Sequence, residues 1–151
     1  MTNNEIKFED IIGRYLTINI NNESYRIYVE ESGAGIPLIC LHTAGSDARQ
    51  FRHILNDKKI TANYRVIAFD LPWHGKSNPP EGFETKEYKL TTILYKQIIM
   101  SFCKAYKVSQ PVIMGCSMGG RVVLHLALEH SNYFRAVIAL EGADKLEPYY
   151  D

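Results

Sequence analysis

The sequence predicts an α/β fold, a mostly parallel sheet flanked by helices, and three observations predict it. Four short apolar runs, at 37–41, 65–69, 111–116 and 136–140, are nearly continuous rather than alternating, as strands covered on both faces require. Each stops abruptly at a polar residue: His42, Asp70, Ser117 and Glu141. The stretches between them exceed the roughly dozen residues that a parallel crossover takes, and each carries helical signals.

Taken in order, residues 11–18 and 25–30 come first. Tyr25, Ile27 and Val29 alternate with Arg26 and Glu30, and the Asn-Asn-Glu-Ser link at 21–24 predicts an antiparallel pair. After the run at 37–41, Ser46 or Asp47 caps a helix to about Leu55. Thr85 caps a long one to about Tyr106, with Leu94, Ile98, Phe102 and Ala105 at helical spacing. Residues 119–130 make a third, with Val122, Val123, Leu126 and Ala127 on one side. Ligands gather at the carboxyl ends of parallel strands, so four polar residues placed there predict a site.

The 151 residues make one domain, 1–151, with a sizeable core. Lys+Arg 17 against Asp+Glu 17 leaves no global field to attract nucleic acid or an anionic membrane, and neither is expected as a partner. No apolar run approaches the roughly 18 residues that span a bilayer, and the first ten residues lack a secretory pattern. Cys40, Cys103 and Cys116 form an odd set without metal-ligand spacing, as in a cytoplasmic chain with reduced thiols and no metal.

Gly115-Cys116-Ser117-Met118-Gly119 matches Gly-x-Ser-x-Gly. The five residues alone are weakly specific. Their position between an apolar run and an apolar-periodic helix is the strand-turn-helix setting in which a sharp bend exposes a serine hydroxyl. The helix N-terminus then aims free N–H groups at the place where an oxyanion forms. The alternative is a glycine-rich turn with an incidental serine.

Three segments resemble the α/β-hydrolase family in the family's order, over roughly residues 11–145. Leu41-His42-Thr43-Ala44-Gly45 is similar to the oxyanion loop after the third strand, and Asp70-Leu71-Pro72-Trp73-His74-Gly75-Lys76-Ser77 to the loop after the fourth. The third is Gly115–Gly119 itself. The resemblance implies Ser117 as nucleophile and the Met118 N–H as one oxyanion donor. The second donor is Ala44, with Thr43 as its alternative. It places His42 and Trp73 about the substrate pocket, His42 bracing its loop and Trp73 adding an aromatic wall or packing. Thr43 and Trp73 stand where the family usually has glycine.

The implied reaction is hydrolysis of an ester, lactone or related carbonyl compound through an acyl-enzyme, on a small-molecule substrate and without a cofactor. The family's base is a histidine after the eighth strand, and none of His42, His53, His74, His125 and His130 occupies that place. Glu141, with Asp144 behind it, is a candidate to orient the missing histidine, or else it lines the pocket. The expectation is a hydrolase core truncated after strand six and inactive as this chain. Its exposed sheet edge would favour self-association. The alternative from another class is a non-catalytic module of the same fold that binds a ligand or a protein.

Overall fold

The computed structural model describes residues 6–142. Its six strands are β1 (Ile12–Ile20), β2 (Glu23–Ser32), β3 (Ile36–Leu41), β4 (Tyr64–Phe69), β5 (Val112–Cys116) and β6 (Ala136–Leu140). They form one sheet in the order β1-β2-β4-β3-β5-β6. β1 and β2 are an antiparallel hairpin turned by Asn21 and Asn22, whose φ values of 50° and 65° are those of a two-residue I′ turn. β2 runs antiparallel to β4, and β3 pairs parallel with β4 and β5, as β5 does with β6. The mostly parallel α/β sheet read from the four apolar runs is the sheet observed.

Burial on both faces explains why the runs of β3, β4 and β5 do not alternate, whereas the run of β6, expected to be covered in the same way, is largely exposed at the edge of the sheet. Ile39, Leu41, Ile67, Phe69 and Ile113 enter a core with α3 (Thr92–Ala105) and α4 (Met118–Glu129). Leu38, Cys40, Val66, Ala68 and Met114 face the other way, against Ala48, Phe51 and Leu55. Phe51 closes a 3₁₀ turn, Ala48–Phe51, and Leu55 belongs to the short α1 (Arg52–Asn56). Asp47 caps that turn, accepting the Arg49 N–H at 2.9 Å. A further short helix, α2 (Lys58–Thr61), capped by Asp57, has no counterpart in the sequence reading.

The long helix is corrected at its start. Thr91, not Thr85, caps α3, its hydroxyl accepting the Leu94 N–H at 3.2 Å. Thr85 ends a 3₁₀ turn, Phe83–Thr85, and donates to the Gly82 carbonyl at 3.1 Å. Residues 86–90 stay non-helical, which lets the Tyr88 ring pack 5.3 Å from that of Trp73. Among the described residues no helix is long and apolar enough to cross a membrane.

Candidate active site

β5 passes into α4 through a single residue, Ser117, whose φ of 52° and ψ of −112° lie outside the ordinary regions. Such a conformation costs an L-residue on the order of 1–3 kcal/mol, so its surroundings must impose it. A Cβ on Gly115 would collide with the Gly119 backbone, and one on Gly119 would lie 2.6 Å from the Leu41 carbonyl oxygen. Both positions therefore demand glycine. The Ser117 N–H donates to the Leu140 carbonyl at 2.9 Å, fastening the bend to the end of β6. Ser117 itself is exposed. The first helical bond runs from the Arg121 N–H to the Ser117 carbonyl at 2.8 Å, so the Met118 N–H precedes the ladder and has no helical acceptor.

The loop after β3 faces this bend, and its anchors are buried. His42, expected about the pocket, is 0% exposed and lies sealed beneath it. Its Nε2 accepts the Leu71 N–H at 3.1 Å, so Nδ1 carries the proton and donates to the Thr43 carbonyl at 2.8 Å. Loss of water pulls the imidazole below its ordinary pKa, with the Thr43 bond opposing. Asp70 completes the brace: Oδ1 accepts the Ala48 N–H and Oδ2 the Lys76 N–H, both at 2.7 Å. Ser77 Oγ donates to the Asp70 carbonyl at 2.6 Å and accepts the Tyr28 N–H at 2.8 Å. The two loops are thereby locked to each other and to the hairpin.

Of the two amides expected to act as the second donor, that of Thr43 is engaged, donating to Gln50 Oε1 at 2.9 Å. Ala44 lines a cavity of about 80 Å³ together with Ser117 and Met118, walled further by Leu90, Tyr95 and Val122. Trp73 lies instead in a neighbouring cavity of about 120 Å³ that shares the Leu90 wall. Its φ of 69° is a left-handed value that a glycine would adopt without strain, and its ring packs on Phe83 and Tyr88. The indole thus holds in place by packing what backbone preference would not.

Glu141 directly follows Leu140, the acceptor of the Ser117 amide, and is exposed with φ 52°. Asp144 lies outside the described residues. Among the described residues no histidine is hydrogen-bonded to Ser117: His42 is committed as above, and His74 Nδ1 lies 2.9 Å from the Pro72 carbonyl oxygen. Sequence reasoning missed Gln50, Leu90 and Tyr95. Helical spacing does not distinguish Tyr95 from the core residues Ile98, Ile99 and Phe102 beside it.

Residues 36–150 match the family model described as alpha/beta hydrolase fold. A 2-hydroxy-6-oxo-6-(2'-aminophenyl)hexa-2,4-dienoic acid hydrolase of Metapseudomonas resinovorans is 31% identical over 115 residues, 75% of this chain and 38% of that protein. A pimeloyl-[acyl-carrier protein] methyl ester esterase of Vibrio atlanticus (strain LGP32) is 25% identical over 119 residues, 79% of this chain and 41% of that one. A thermophilic esterase structure from Thermogutta terrifontis superimposes with a TM-score of 0.77 at 18% identity, over 90% of this chain and 48% of that one. That likeness is one of fold. The chain spans about two fifths of the length of the curated relatives it matches.

Proposed function

The chain belongs to the alpha/beta hydrolase fold family, and within it we propose a serine hydrolase acting on an ester, lactone or related carbonyl compound. The observation that carries this reading is the forced bend at Ser117, in one cavity with Ala44 and the unladdered Met118 amide. A binding module gains nothing from a strained, exposed serine held under free amides. In the proposed reaction Ser117 Oγ attacks the carbonyl carbon and a base takes its proton. The Met118 and Ala44 N–H groups hold the oxyanion, the leaving group departs, and water releases the acyl group from Ser117. Two relatives named for hydrolysis of an oxo-dienoic acid and of a methyl ester support the substrate class.

The base is a histidine in the part of the protein corresponding to the unmatched length of those relatives, and Glu141 is its proposed orienting acid. The 151-residue chain alone then turns over p-nitrophenyl esters negligibly. Three free thiols, two of them buried, fit a cytoplasmic setting. A fluorophosphonate probe tests the assignment on the full-length protein. Labelling at Ser117 that disappears in Ser117→Ala is expected. Absence of labelling would favour the non-catalytic module, the reading that the lack of a histidine against Ser117 among the described residues supports.

A further inference from the structure

Tyr95 sits on α3 among Ile98, Ile99 and Phe102, and is 1% exposed. Its hydroxyl has no hydrogen-bond partner among the described residues. Buried hydroxyls are nearly always paired, so one left open calls for an occupant. Tyr95 also lines the cavity that holds Ser117, Met118 and Ala44. Leu90 and Val122 make the surrounding wall apolar, and the other polar wall residues, Thr92 and Arg121, already have partners. Burial, with a smaller push from Tyr88, raises the phenol above its ordinary pKa, so the group is a neutral donor at neutral pH.

Resting on the serine-hydrolase reading, we propose that Tyr95 determines specificity in this pocket, its hydroxyl donating to an uncharged keto or hydroxyl oxygen on the acyl portion of the substrate. A plain hydrocarbon acyl chain leaves that donor unpaired and is selected against, because a site built to hydrogen-bond a substrate rejects the analogue that lacks the acceptor.

The test uses binding, so that turnover is not needed. Methyl 4-oxopentanoate and methyl pentanoate form one pair, methyl 5-oxohexanoate and methyl hexanoate another. Each ester is titrated calorimetrically into the full chain carrying Ser117→Ala. At least one oxo ester is expected to bind about tenfold tighter than its hydrocarbon counterpart. Adding Tyr95→Phe is expected to erase that preference by weakening the oxo ester alone. Equal affinities in both pairs, a preference that survives Tyr95→Phe, or no binding of any of the four overturns the proposal. The second readout is thermal. Tyr95→Phe alone removes no protein hydrogen bond and should leave Tm unchanged or raised, whereas a fall of about 4 °C or more would reveal an internal partner and overturn the proposal as well. If fluorophosphonate fails to label Ser117 while the oxo preference holds, the hydrolase reading fails and Tyr95 remains the donor of a binding pocket.

Discussion

Asp70 and His42 show how much of the site's geometry rests on residues that never meet a substrate. The Asp70 carboxylate accepts one amide from each of the two loops. Asp70→Ala leaves the buried Ala48 amide and the part-buried Lys76 amide without their acceptor, so a loss of about 2 kcal/mol is expected, measured by urea unfolding. His42 makes a different, pH-dependent contribution. Its imidazole titrates below the unfolded value of 6.5 because burial disfavours the cation. The unfolded chain therefore binds a proton that the native chain refuses. The stability is fully present above about pH 6.5 and is lost as pH falls through the lower, native pKa. Asp70, Asp47 and His74 supply the charges around it. Asp47, held below its ordinary value by its Arg49 bond, contributes the same sign of effect only in a more acid window. Thermal midpoints are expected to decline between pH 7.5 and 5.5, and His42→Asn is expected to flatten that decline. At this scale the glycines were legible because the backbone geometry demands them, and the serine and the polar strand ends because each breaks off an apolar run. Tyr95 was not, because helical spacing marks a residue as buried without saying whether its hydroxyl is paired.

The end of α3 shows a locally unfavourable choice that can be reversed. The Val108 N–H donates to the Cys103 carbonyl at 2.8 Å and the Lys107 N–H to that of Lys104 at 3.2 Å, the paired bonds of a Schellman cap. The residue between helix and strand connection, Lys107, must then be left-handed, and its φ is 54°. Glycine is the usual occupant, and Lys107 is exposed, so no packing is lost with its side chain. Lys107→Gly is expected to stabilise the fold by about 1 kcal/mol, read as a rise of several degrees in Tm. The sequence reading nevertheless ends this helix at about Tyr106, which is the observed cap. At the other end of α3, Thr85 and Thr91 are both competent caps, and the tertiary contacts of the segment between them, Lys86 with Glu23 and Tyr88 with Trp73, go with the later one. The strands were easier: β6 coincides with its apolar run, and β3, β4 and β5 differ from theirs by a residue. For β3, β4 and β5 a core lining both faces leaves little freedom in where such a run begins and ends.

The whole sheet has two unlike edges. β1 carries charge and polar residues: Arg14 pairs with Glu31 at 3.1 Å, and the Arg26 guanidinium lies 3.3 Å from the centre of the Tyr15 ring. Charge on an edge opposes strand addition. β6, at the other edge, reads Ala-Val-Ile-Ala-Leu without a charged residue. Ile138 is 41% and Leu140 45% exposed, and among the described residues β5 is the only strand that β6 pairs with. Val137 packs against the core, but the outer edge of β6 and its Ile138–Leu140 face are open to a second copy, which a two-fold axis would bring in antiparallel. The expected outcome for the 151-residue chain is a mass above the monomer by light scattering, rising with concentration. Ile138→Lys places a charge at the centre of that edge and should return the chain toward the monomer. It should do so without lowering Tm, since Ile138 contributes little to the core. A wild-type chain that stays monomeric at every concentration would show that the open edge does not self-pair. Equal association of the variant would place the contact elsewhere, with the exposed Ile12 and Tyr15 of β1 the next surface to substitute.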